Sequence, residues 1–122
     1  MKCIFCDPGR TIVAENDYAY AIRDAFPVST GHTLVIPREH VSDILRLSPQ
    51  SYAACFELVR SVAAELEATL GPDGFNIGVN CGEAAGQTVM HAHIHIIPRF
   101  TGDTATPRGG VRGVIAGKGD YS

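Results

Sequence analysis

The chain has 122 residues, 45% hydrophobic and 19% charged, which suits one soluble domain that buries its own core. A formal net charge of −3 argues against non-specific binding to nucleic acid or to an anionic membrane. No run approaches the ~20 apolar residues of a membrane span, the start lacks a secretion-signal stretch, and the four cysteines are not spaced like a secreted disulfide framework, so a cytoplasmic location is expected.

Cys3-Ile4-Phe5-Cys6 is a CxxC followed at once by the turn Asp7-Pro8-Gly9. A redox CxxC opens a helix, so this pair reads better as half of a zinc site whose remaining ligands would be histidines. Residues 11–15 and 18–23 read as two short strands around a hairpin turn at Asn16-Asp17. A loop over 24–31 leads into His32-Thr33-Leu34-Val35-Ile36-Pro37, a buried strand ended by proline. A short helix is expected around Ser42 to Leu45.

Ser48-Pro49 is a strong helix start, with serine as N-cap and proline in the first turn. The helix should run to about Leu70, where Gly71-Pro72 stops it. Tyr52, Cys55, Phe56, Val59, Val62, Ala63, Leu66 and Leu70 recur at three- and four-residue steps and predict one apolar face. A strand follows over 74–80, then the small-residue loop Cys81-Gly82-Glu83-Ala84-Ala85-Gly86-Gln87. That loop is not a phosphate-binding P-loop: the first glycine and the lysine are missing, and a strand follows it. Its glycines still allow the main chain to approach an anion closely.

Thr88 to Arg99 carries His91, His93 and His95 at alternate positions, with Ala92, Ile94 and Ile96 between them. A strand would put the three imidazoles on one face and the apolar residues on the other; a helix would scatter them. Three polar rings in register are hard to assign to packing. Two chemical readings remain open here, a metal site built on the strand and nucleophilic or acid–base chemistry. Residues 104–122 form a Gly- and Arg-containing tail, with Arg108, Arg112 and Lys118 against Asp120. Neither a repeat nor an interdomain linker is visible. Short connections around one long crossover predict an α+β domain, a five-stranded antiparallel sheet with one long and one short helix on one face and the other face open.

His91-Ala92-His93-Ile94-His95-Ile96-Ile97 resembles the signature of the histidine triad (HIT) family. Cys3 to Cys6, Gly31 to Pro37, Arg38-Glu39-His40 and Gly86-Gln87-Thr88-Val89 resemble further segments of that family, so the likeness spans about residues 3–103. It implies a homodimeric nucleotide hydrolase or transferase, working at the α-phosphate of a purine nucleotide derivative through a nucleotidyl-histidine intermediate. It makes residues 1–103 the HIT domain. His93 takes the role of nucleophile; His95, Thr88 and Gln87 complete the catalytic set. Ile4, Phe5, Asp24, Ala25, Asn80 and Gly86 join these four in the substrate pocket, Asp24 at the ribose and Ile4, Phe5 and Ala25 near the base.

The resemblance to zinc-binding microbial members further implies a structural zinc held by Cys3, Cys6, His40 and His91. A Cys₂His₂ set fills the tetrahedron and leaves no open coordination position. Asn80 and Asp24 resemble the phosphoramidase (Hint-like) branch. Thr88 and the Pro98-Arg99-Phe100-Thr101-Gly102-Asp103 segment resemble the fragile-histidine-triad branch, which cleaves dinucleoside polyphosphates. In the latter case Arg108 and Arg112 are candidates for distal phosphates. Two other readings compete: a hydrolase using one catalytic zinc on His91, His93 and His95, and a nucleotide sensor or scaffold with little turnover.

Overall fold

The computed structural model describes residues 3–121. Five strands, β1 (Ala14–Glu15), β2 (Ala19–Arg23), β3 (Thr33–Pro37), β4 (Gly74–Gly78) and β5 (Ile94–Arg99), form one antiparallel sheet in the order β1-β2-β3-β5-β4. A single long helix, α1 (Pro49–Leu70), packs on one face. The short helix expected near Ser42 is a 3-10 turn at Ile44–Arg46, capped by Asp43, whose carboxylate accepts from Leu45 N at 2.9 Å.

α1 begins and ends where the sequence says. Ser48 Oγ accepts from Ser51 N at 3.2 Å, and Gly71 closes the helix in the left-handed conformation, at φ 58°. Its buried face is Ser51, Cys55, Leu58, Val59, Val62 and Leu66. Tyr52, Phe56 and Leu70, expected on that face, lie on its exposed flank, and the Tyr52 and Phe56 rings pack on each other. Against the helix, β2 presents Ala19 and Ala21, β3 presents Val35, and Ala92 leads into Ile94 and Ile96 of β5. The small alanines let α1 sit close to the sheet, as dense packing requires.

The second face is only partly open. Tyr20, Ile22, Leu34 and Ile36 project there and are covered by Phe5, with Cys3 and Val89 packed alongside. The N-terminal CxxC segment therefore roofs the β2–β3 half of the sheet, and the open part lies over β5 and β4.

The histidine strand starts later than the alternation predicts. β5 pairs with β3 only as far as Val35↔Ile94. The next partners in register would be Ile36 with His93 and Pro37 with Ala92, and proline has no N–H to give a ladder. Ala92 N donates instead to Val41 O at 2.8 Å. Residues 88–93 therefore leave the sheet, although Ala92 keeps its core-facing parity.

The tail folds back on the domain. A 3-10 turn at Gly110–Val114 lies against β4, and Arg108 Nε donates to Asp120 at 3.0 Å. The guanidiniums of Arg108 and Arg112 stand 5.0 and 4.6 Å from the centre of the Tyr121 ring. Gly109 (φ 88°) meets Gly119 so closely that a Cβ would fall 1.8 Å from the Gly119 carbonyl oxygen, so only glycine fits.

Candidate active site and metal centre

The His91 carbonyl lies 2.8 Å from His93 Nδ1. A carbonyl only accepts, so Nδ1 carries the ring proton and the lone pair of a neutral His93 is at Nε2. His93 is 9% exposed and lines a cleft of about 400 Å³. Ile4, Phe5, Asp24, Ala25, Asn80, Gly86, Thr88 and His95, all expected at the site, share that cleft. Arg10, Phe26, Leu34 and Val89 line it too and were not anticipated.

A second chain of bonds fixes His95. Val28 N donates to His32 Nδ1 at 3.0 Å, which forces the proton of a neutral His32 onto Nε2. That Nε2–H faces His95 Nδ1 at 3.0 Å, with Asp24 Oδ2 at 3.4 Å. His95 therefore accepts at Nδ1 and carries its own proton at Nε2. Burial, then the neighbouring His93 and His32, push its pKa down to about 4, with Asp24 pulling the other way. Burial likewise lowers His32, against the opposing pull of Asp24. The result is two rings with opposite ends functional, Nε2 of His93 and the Nε2–H donor of His95, their centroids 5.2 Å apart.

His32 is the residue the sequence reading passed over. The available signal was parity: His32 shares the Leu34–Ile36 face of β3, and Leu34 pairs with His95.

Gln87 is brought to the site's edge but not into the cleft. Its side chain is 3% exposed; Oε1 accepts from Gly82 N at 2.8 Å, and Nε2 donates to the Val89 and Ser42 carbonyls. All its polar capacity holds the 82–89 loop that presents Gly86 and Thr88. Asp24 accepts from Phe26 N at 2.9 Å through Oδ1, which fixes the loop below the cleft.

The CxxC and two histidines form a separate centre. His91, fully buried, donates Nε2–H to Pro37 O at 2.8 Å, leaving its Nδ1 lone pair free. That Nδ1 lies 3.4 Å from Cys3 Sγ, 3.6 Å from Cys6 Sγ and 3.0 Å from His40 Nδ1; Cys6 Sγ to His40 Nδ1 is 3.1 Å. Zinc bonds of about 2.0–2.3 Å place tetrahedral donors roughly 3.3–3.8 Å apart, so the set needs only slight expansion to hold the ion. A carbonyl behind the ligating imidazole is the outer-shell partner such histidines use.

Among the described residues the one other metal-capable group is Asp24, His32 and His95. Its wiring is the reverse. His32 receives an N–H at Nδ1 and must keep its proton on the Nε2 that would face the ion. This cluster suits a hydrogen-bond relay. The three triad imidazoles do not gather around one ion either: His91 turns to the thiols while His93 and His95 face the cleft. The reading of one catalytic zinc on His91, His93 and His95 is thereby corrected, because departure from the ladder at residue 93 turns the first imidazole away from the other two.

This chain belongs to the HIT family: residues 9–102 match the HIT domain. A HIT family protein from Bacillus anthracis superposes with a TM-score of 0.78 at 41% identity, over 84% of this chain and 76% of that one. A zinc-bound histidine triad protein from Mycobacterium smegmatis gives 0.77 at 35% identity, over 87% and 81%. The adenosine 5'-monophosphoramidase of Schizosaccharomyces pombe is 39% identical over 104 residues, 81% of this chain and 75% of that protein.

Proposed function

We propose that this protein hydrolyses a purine nucleotide derivative at its α-phosphorus, with His93 Nε2 as nucleophile. The observation that carries the reading is the hydrogen bond from His93 Nδ1 to the His91 carbonyl, which leaves Nε2 bare in the cleft. A neutral imidazole needs no base to become nucleophilic. Nε2 forms the P–N bond as the leaving group departs with the P–X electron pair and takes a proton from solvent. The ring retains its Nδ1 proton and becomes a nucleotidyl-imidazolium whose charge the His91 carbonyl stabilises. Water then attacks phosphorus and gives up a proton to solvent, the P–N bond breaks, and the electron pair returns to Nε2, releasing the nucleoside monophosphate. His95 Nε2–H and Thr88 are placed to hydrogen-bond the phosphoryl and leaving-group atoms, as electrostatic stabilisation of the transition state requires. Asp24, with Ile4, Phe5 and Ala25, takes the nucleoside; Asn80 and Gly86 border the phosphate. Gln87 acts by holding the loop.

A nucleoside phosphoramidate is the substrate class we favour over a dinucleoside polyphosphate. Arg108 and Arg112 are stacked on Tyr121, with Arg108 also bound to Asp120, and neither lines the cleft, so they are poorly placed for a distal phosphate. The phosphoramidase named above supports the same choice. Zinc, held by Cys3, Cys6, His40 and His91, would supply a structural cross-link between the N-terminus and the approach to β5. The free thiols of these cysteines suit a reducing cytoplasm, and no described helix is long and apolar enough to cross a membrane. Edge strand β4, with the exposed Tyr52–Phe56 flank of α1, is our candidate for homodimer pairing. Residues 104–122 are a tail added to the family domain.

Incubation with adenosine phosphoramidate followed by acid-free mass spectrometry tests the chemistry. We expect a transient adduct of one adenylyl group on His93, absent with turnover in His93→Ala. Full activity in His93→Ala would end the proposal, and tight adenosine monophosphate binding with no turnover of any substrate would move the chain to the sensor reading.

A further inference from the structure

Two of the residues that would hold zinc and two that wall the cleft belong to one four-residue turn. Cys6 N donates to Cys3 O at 3.2 Å, closing the turn on itself. Its corners, Cys3 and Cys6, put their sulfurs on His91 and His40. Its two central residues, Ile4 and Phe5, line the cleft. Phe5 is 6% exposed and meets the His93 ring edge-on at 5.0 Å and the His91 ring at 6.2 Å. Among the described residues, the turn is anchored by its own bond, the Tyr20 hydroxyl donating to the Phe5 carbonyl, the packing of Phe5 and Cys3, and the four-donor cluster. A second link runs through His91, whose ring belongs to the metal cluster and whose carbonyl holds the His93 proton.

We propose that zinc occupancy of the Cys3–Cys6–His40–His91 centre sets the nucleotide affinity of the cleft, through the Ile4–Phe5 wall. The proposal rests on the reading of this cleft as the nucleotide site. With zinc bound, the four donors hold both ends of the turn and its apolar centre stands ready for a base. Without zinc the turn is seated in only a fraction of molecules, and the apparent dissociation constant rises by the reciprocal of that fraction. Seating in about one molecule in ten gives a tenfold weaker nucleotide, within the ~5–150-fold range of ordinary site-to-site couplings. Coupling between two bound ligands is reciprocal, so a nucleotide must tighten zinc by the same factor.

The experiment uses the full chain and adenosine 5'-monophosphate as probe. Its affinity is measured by calorimetry on zinc-loaded and chelator-stripped protein, and zinc affinity is measured against a chromophoric chelator with and without saturating monophosphate. We expect both ratios to be about tenfold and equal. In Ile4→Ala and Ile4→Ala/Phe5→Ala the zinc site remains, but both ratios should fall toward one. Equal monophosphate affinity with and without zinc, in protein that circular dichroism shows to be folded, overturns the proposal. So does a ratio that survives unchanged in the double variant, since the coupling would then run through His91 or through global folding and not through the Ile4–Phe5 wall; this arm decides the matter even if stripped protein unfolds. His93→Ala, which tests the chemistry, should retain the coupling, so failure of one reading is told apart from failure of the other.

Discussion

Acidification tests the burial and the neighbouring rings that keep His95 neutral. A histidine whose folded pKa is about 4 and whose unfolded value is 6.5 binds fewer protons in the folded state across that window. Its contribution to stability is therefore complete above the unfolded value and is lost as pH falls from about 6.5 toward 4. Between neutrality and pH 5 the full difference corresponds to about 2 kcal/mol. His95 is only half-buried, and solvent screening reduces the expected loss to about 1 kcal/mol. The assay is urea unfolding at pH 7.5 and 5.0 on the native chain and on His95→Asn, whose amide oxygen stands where His95 Nδ1 accepts from His32 Nε2 but cannot be protonated. The native chain should lose about 1 kcal/mol more than the variant, a difference that cancels the contributions of the other histidines. Equal losses would refute the lowered pKa that burial, His93 and His32 impose on His95, and so would a native chain that gains stability on acidification.

Three other outcomes follow from the same geometry. His32→Ala removes the donor that fixes the His95 tautomer; kcat should fall by about tenfold, the worth of one neutral hydrogen bond, with KM little changed, and His32→Gln should recover part of it. Gln87→Ala strands Gly82 N and the Ser42 and Val89 carbonyls near the buried amide, so thermal or urea unfolding should show a loss of about 2–3 kcal/mol. Chelation should lower the melting temperature of the native chain, and the same treatment should leave Cys6→Ser/His40→Ala, which lacks half the donor set, unmoved.

Local chemistry made much of the fold legible. Ser48-Pro49 and Gly71 mark the ends of α1 because caps and the left-handed closing residue act within a few positions of themselves. The Asn16-Asp17 turn and the proline that ends β3 were readable for the same reason. What escaped depends on partners distant in sequence. The start of β5 is decided by Pro37, more than fifty residues earlier, which no alternation within residues 88–99 can report. Gln87 looks like a ligand-binding side chain until the Gly82 amide and the Ser42 and Val89 carbonyls take every polar atom it has. His32 looks like a lone buried histidine until the sheet sets it beside His95. The Cys3–Cys6 pair reads as half of a zinc site, but its distance from His40 and His91 in the chain left their grouping to the family resemblance.

Pro37 has an effect on selection that reaches beyond strand termination. Any substitution there that supplied an N–H would let the sheet zip two residues further and gain a bond. The Ala92 N–H would then turn from the Val41 carbonyl toward residue 37, and the His91 carbonyl, in the same peptide, would turn with it and away from the imidazole it orients. A chain scored only on thermal endurance would drift toward that tidier sheet, and one scored on turnover would be held back from it.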